Sequence, residues 1–214
     1  MFPLTSQRMP EKMSEERAAL DELFASSVLA HIALIVHDRP VVFPTAYAVI
    51  NNRLVIHGST GSQWMRAIEG QEVTVEITKL DAIVIARSTF ESSVNYRSAM
   101  LFGRFNAVAN DEKSALLDAL SDRLIPRRSS EVRPSLKKEL AATTVLAMPI
   151  EQWSLRVSEG WAEDGDEDIA GDSWGGVVTF GPPSATIAAT PDLREGIPVP
   201  ASVLELAGAP GRII

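Results

Sequence analysis

The strongest constraint on the fold is a succession of short apolar runs joined by turns too short to hold a helix. Leu29 to Val36, Val41 to Ile50 and Leu54 to Ile56 follow one another, separated only by Asp38-Arg39-Pro40 and Asn51-Asn52-Arg53. Such turns suit hairpins and predict an antiparallel strand meander. Glu72 to Thr78 then alternates strictly, with Val73, Val75 and Ile77 on one face and Glu72, Thr74, Glu76 and Thr78 on the other. That period of two is a strand with one face on a core and one facing water or a polar partner. Ile83 to Ala86, Ala99 to Val108 and Thr143 to Ile150 supply further strands, and Gly103 marks an expected bend or bulge.

Helical spacing is confined to the gaps and the start. A helix is expected from Pro10 to Ser27, with Leu20, Leu23 and Phe24 on its buried side. A short one is expected over Ser62 to Glu69, ending at Gly70, and another from an Asn110 cap to Leu124, stopped by Pro126. A last helical turn falls near Leu136 to Leu140. About seven strands and three or four helices suit a mainly β fold, a small antiparallel barrel with helices at its openings. A doubly wound parallel sheet would require a helix between successive strands. The barrel and its N-terminal helix occupy residues 1–158. Residues 159–214, acidic from Glu163 to Asp168 and then rich in proline and glycine, read as an extended arm packing on the barrel or on a partner subunit.

Composition narrows the chemistry. There is no cysteine, which excludes disulfides, thiolate metal sites and a cysteine nucleophile, so redox chemistry would need a borrowed cofactor. A net charge of -8 argues against a nucleic-acid surface. No signal-like block and no long apolar span is visible, so the expectation is a cytoplasmic protein without a membrane partner.

Two stretches can hold a ligand. His57-Gly58-Ser59-Thr60-Gly61-Ser62 leaves a strand and enters a short helix, with hydroxyls, helix-start amides and Arg66 one turn on. That combination is a candidate phosphate cradle. The second stretch, Ser92 to Ser98, places Asn95, Arg97 and Ser98 at the entry to a very apolar strand. An inward Arg97 needs an anion, either a reduced flavin's pyrimidine edge or one of Glu91, Glu76 and Asp81.

Taken in order, His57 to Arg66, Val73 to Thr78, Leu80-Asp81, Ala86-Arg87-Ser88, Phe90 and Asn95 to Gly103 resemble the flavin-binding half of the pyridoxamine-phosphate-oxidase-related proteins. The likeness runs from about His31 to Arg156 and leans to the nitroimidazole-resistance-like branch. Trp174-Gly175-Gly176-Val177 also resembles tails of that branch. The resemblance implies an FMN-binding split β-barrel, a homodimer, and an oxidoreductase that takes electrons from a small donor and passes them to a small-molecule substrate. It places Pro44, Thr45, Ala46 and Tyr47 along the isoalloxazine, and Gly58, Ser59, Ser62, Trp64 and Arg66 around the ribityl and phosphate. Asn95, Arg97 and Ser98 fall beside the ring, and Trp153 approaches from the partner subunit. His57 matches a histidine near the flavin, a candidate proton donor or a cross-strand hydrogen-bonding residue.

Departures from the pattern are equally informative. Gln63 and Trp64 stand where authentic pyridoxamine-phosphate oxidases carry paired basic residues, and the C-terminal arginine and histidine signature for the pyridoxal ligand is missing. The resemblance therefore does not extend to vitamin B6 oxidation. Two alternatives remain open: a flavin-binding module without turnover, and a haem-binding split barrel in which His31, His37 or His57 ligates iron. No protein-built metal centre is expected from the histidines or from the acidic run.

Overall fold

The computed structural model describes residues 6, 8–180, 187 and 198–208. Its framework is two antiparallel sheets closed against each other around one main core, a split barrel. Met13–Ser14 (β1), Leu29–Val36 (β2), Arg39–Ala46 (β3), Ala48–Ile50 (β4) and Arg53–Ser59 (β5) form the first half. Glu72–Ile85 (β6), Ser93–Arg104 (β7), Asn106–Ala107 (β8), Thr143–Pro149 (β9), Gln152–Ser158 (β10) and Gly176–Thr179 (β11) complete it. The larger sheet runs β1-β10-β7-β6-β2-β3, with β11 added to β6, and the smaller runs β4-β5-β9-β8.

Hairpin chemistry sets the first strands. His37 and Asp38, then Asn51 and Asn52, take positive φ of 49° and 60°, 51° and 58°. Consecutive left-handed residues match the right-handed twist of the strands they join. The apolar run Val41 to Ile50 is not one strand: the chain leaves β3 at Ala46, buries Tyr47 completely, and re-enters the other sheet as β4. The Tyr47 ring packs edge-on to Phe24, and its hydroxyl donates to the Phe24 carbonyl at 3.4 Å.

Several expected boundaries move. The N-terminal helix α1 is Arg17–Ser26; Pro10–Lys12 is a single 3₁₀ turn, and Met13–Ser14 pairs with β10 instead. Residues 72–78 and 83–85 belong to one strand, which ends before Ala86, because a register shift between Leu80 and Ala82 absorbs the polar Asp81. Gly103 lies in unbroken register with Val73; it gives room to Met148, whose Sδ would lie 3.0 Å from a Cβ there.

The helices lie at the periphery of the sheets. Gln63–Ile68 (α2) is capped by Ser62, whose side chain accepts from the Met65 amide. Lys113–Leu124 (α3) starts after Glu112 rather than at Asn110, and Leu116 and Leu120 bury against Val55 and Val145 of the small sheet. Lys137–Ala142 (α4) leads into β9.

Beyond Ser158 the chain lies along the barrel. The Asn95 amide donates to the Gly160 carbonyl at 2.9 Å, and Asp164, its side chain only 3% exposed, accepts from both the backbone and the guanidinium of Arg87 at 2.8 Å. Asp166–Ile169 (α5) follows, then β11 pairs with β6. In Ala201–Gly208 (α6) the buried Ser202 bonds to Glu131. Pro182 and Pro183 lie outside the described residues.

Candidate functional site

The end of β5, the following turn and α2 form the candidate phosphate cradle. Its backbone amides are already committed: Thr60 donates to the Ala142 carbonyl at 2.9 Å, Ser62 to the Ser59 carbonyl at 2.9 Å, and Gly61 to Ser59 Oγ at 3.1 Å. With those three turn amides spent, the donors that face an anion are hydroxyl groups, Arg66 and the first amides of α2, Gln63 and Trp64. Arg66 spends one nitrogen on the Thr60 carbonyl at 2.9 Å, so the cation is folded over the turn. Gly58 is needed for packing, since a Cβ there would lie 2.7 Å from Met65 Cγ.

The same cluster reaches β3. Trp64 stacks on Phe43 with ring centroids 5.4 Å apart and remains 46% exposed, leaving a broad aromatic surface beside the cradle. Pro44, Thr45 and Ala46 continue β3 from this point, and Tyr47 offers only backbone because its ring is in the core. His57 is solvent-accessible, and partial desolvation holds its pKa below the ordinary histidine value. It is thus a neutral imidazole near pH 7.

The β7 residues expected at the ring have other partners. Arg97 makes a two-pronged ion pair with Asp81 at 2.9 and 2.8 Å, one of the carboxylates the sequence left open, and that pairing raises its pKa further. Asn95 anchors the arm, as above. Trp153 is partly buried against the main core of its own chain.

Ser98 belongs to a second polar cluster on the outer face of the large sheet. Its hydroxyl donates to Glu76 Oε1 at 3.2 Å, and Glu76 Oε2 lies 3.4 Å from His31 Nδ1. Register places these in neighbouring rows: His31 is opposite Glu76 on β6 and opposite Pro44 on β3, and Ser98 is opposite Arg156. Glu76 and Arg156 were not singled out as site residues from the sequence. The alternation of β6 put Glu76 on the outward face, but its neighbours follow only from long-range register. Among the described residues, no group of three or more His, Cys, Asp or Glu side chains could hold a metal by itself, and no helix is long and apolar enough to cross a membrane. An open groove of about 340 Å³ at the far end, lined by Glu72, Arg104 and Glu151 among others, contains none of the expected ligand-binding residues.

The FAD and haem binding protein of Mycobacterium smegmatis is 47% identical and superposes with a TM-score of 0.91, covering 94% of this chain and 100% of its own. The flavocytochrome of Azotobacter vinelandii is 29% identical, with a TM-score of 0.87 and 94% of both chains covered. A 5-nitroimidazole antibiotic resistance protein of Bacteroides thetaiotaomicron, 14% identical with a TM-score of 0.55, covers 68% of this chain and 86% of its own, and shows the shared fold alone. Among curated proteins no sequence matches. Residues 16–157 match the family described as pyridoxamine 5'-phosphate oxidase, about two-thirds of the chain, from α1 to the last-but-one residue of β10. By that match and by its split barrel, the chain belongs to the pyridoxamine 5'-phosphate oxidase family.

Proposed function

We propose that this protein is a flavin-dependent oxidoreductase that also carries haem, passing electrons from a small reduced donor through the two groups. The observation that carries this reading is end-to-end similarity to the M. smegmatis FAD and haem binding protein, arm included. The nitroimidazole-resistance-type relative, by contrast, overlays only 68% of the chain. The reading therefore joins two alternatives that the sequence left separate, flavin redox and haem binding.

FAD suits the cradle better than the FMN expected from the family at large. A terminal phosphate is close to a dianion and calls for paired cations. FAD spreads the same charge over a pyrophosphate, one charge on each phosphate. Here Gln63 and Trp64 replace the basic pair, and the nearby Arg66 already serves the Thr60 carbonyl. Ser59, Ser62 and the remaining Arg66 nitrogens would hold phosphate oxygens, while the exposed Trp64 face offers a stacking surface for adenine. The β3 backbone from Pro44 to Ala46 would line the isoalloxazine, and His57, neutral near pH 7, could exchange a proton with a substrate. A bound flavin takes a hydride and releases its electrons singly or in pairs, which is the chemistry this scaffold orients.

A homodimer is part of this proposal. Ile35 and Val42 are 65% and 64% exposed on the outer side of β2 and β3, and a second copy would cover them. The test is direct. The purified full-length chain should release FAD rather than FMN on acid precipitation, show a Soret band, run as a dimer in light scattering, and bleach its flavin with a reduced nicotinamide or deazaflavin. Release of FMN would return the cofactor to the family norm. A colourless protein that takes up neither group would refute the reading.

A further inference from the structure

Resting on the haem half of that reading, we infer that His31 is the iron ligand, oriented by Glu76 and Ser98, with Arg156 receiving a haem propionate across the same sheet face. The chain has three histidines. His37 sits in the β2-β3 turn at φ 49°, and His57 lies at the end of β5. Among the described residues, only His31 has a carboxylate within reach, Glu76 Oε2 at 3.4 Å from Nδ1. An iron-ligating imidazole needs one nitrogen fixed by an acceptor, so that the other presents its lone pair. Glu76 supplies that acceptor, and Ser98 Oγ holds the second carboxylate oxygen at 3.2 Å. The His31 side chain is 49% exposed, which leaves Nε2 open to a ligand.

The surroundings suit a flat, mostly apolar group with two acids at one edge. Pro44 and Met100 share the row of His31, Ala33 and Val42 stand in the next row on one side, and the polar Thr78 and Ser98 occupy the row on the other side that leads to Arg156. Arg156 is the unsettled charge. Its Nε is shielded from water and has no hydrogen-bond partner among the described residues; its other contacts are Met9 Sδ at 3.5 Å and the Tyr96 ring at 6.0 Å. No carboxylate pairs with it among the described residues. A guanidinium with one shielded, unbonded nitrogen and no anion is incompletely satisfied, and a propionate would supply the missing partner. Arg156 lies three strands from His31, roughly 14 Å at about 4.8 Å per strand, a span that haem from iron to propionate covers with the two side chains reaching inward. Pro44, on the other side of His31, is the first residue placed along the isoalloxazine, so iron and flavin would be near neighbours.

The test uses the full-length chain titrated with hemin and followed at the Soret band and by electron paramagnetic resonance, with flavin content as an independent readout. His31→Ala and His31→Gln should lower hemin affinity at least tenfold and remove the histidine-ligated signature, while flavin occupancy and circular dichroism stay as in the parent. Added imidazole should restore the Soret band of His31→Gly. Glu76→Gln should keep iron ligation and lower affinity by about 10- to 100-fold. Arg156→Met should weaken hemin with flavin retained. If parent protein binds hemin and His31→Ala is unaffected while His57→Ala or His37→Ala loses the band, the ligand assignment is overturned and the haem reading stands. If the parent takes up flavin and no hemin, both fall.

Discussion

Removing the carboxylate of Asp164 should free the C-terminal arm without unfolding the barrel. Asp164 accepts two hydrogen bonds at 2.8 Å from Arg87, one from its amide and one from its guanidinium, and its side chain is 3% exposed. Charge-assisted hydrogen bonds are worth about 1.5–3 kcal/mol each. Arg87 is one-third exposed, so its guanidinium regains water once the partner is gone, and the net loss falls to roughly 2 kcal/mol. At about 1.4 kcal/mol per tenfold, the arm would open about 30-fold more often. Gly175 packs on the Arg87 side chain and β11 continues from Gly176, so the opening should spread to the β11 ladder. Hydrogen exchange reads this directly: in Asp164→Ala, protection of Val177, Val178 and Thr179 should fall about 30-fold, while Val75 and Ile77 in the centre of β6 keep theirs. Asp164→Asn, which retains an acceptor for the Arg87 amide, should show a smaller fall. Unchanged protection in a folded Asp164→Ala protein would mean that β11 pairing alone holds the arm, and the latch argument would fail.

The sequence made the architecture legible where a local rule and the tertiary structure agree. Glu72 to Thr78 alternates because one face of β6 packs on the core, and Ser62 caps α2 because its hydroxyl accepts from Met65. Legibility ended where partners are distant in sequence. Nothing local announces that Met13–Ser14 is a strand, since its reason for being one is Arg156 and Leu155 on β10. The apolar run through Tyr47 conceals the crossing between sheets, because a buried tyrosine and a strand residue look alike in sequence. The polar break at Lys79 to Asp81 suggested two strands, yet one displaced residue lets β6 continue and brings Asp81 to Arg97. The cradle turn was visible as glycine and serine, but not the commitment of its amides, which depends on Ala142 arriving from α4. His31 and Glu76 were visible as residues and invisible as a pair, since 45 positions separate them and only the β2-β6 register joins them.

Two further outcomes test the site and the core. Arg66→Ala should weaken flavin retention by about tenfold, measured by dialysis and fluorescence of the released flavin, since it removes the cation nearest the cradle; unchanged affinity would take Arg66 out of the phosphate site. Tyr47 provides a pH test whose sign is fixed by its burial. Desolvation pushes its phenol up to about 12 from the ordinary value of 10.0, while Arg123 and Ser27 pull the other way. The folded state therefore favours the neutral phenol. Its contribution to stability is fully present below pH 10 and is lost as the pH rises through about 12. Two pH units correspond to at most about 2.7 kcal/mol. Absorbance at the phenolate band should show one of the two tyrosines resisting ionisation until near pH 12, and Tyr47→Phe should remove that step while flattening the alkaline loss of stability. If Tyr47 instead titrates near pH 10 in a protein that remains folded, its ring is not sealed in the core. The crossing from β3 to β4, which that seal fixes, would then need another account.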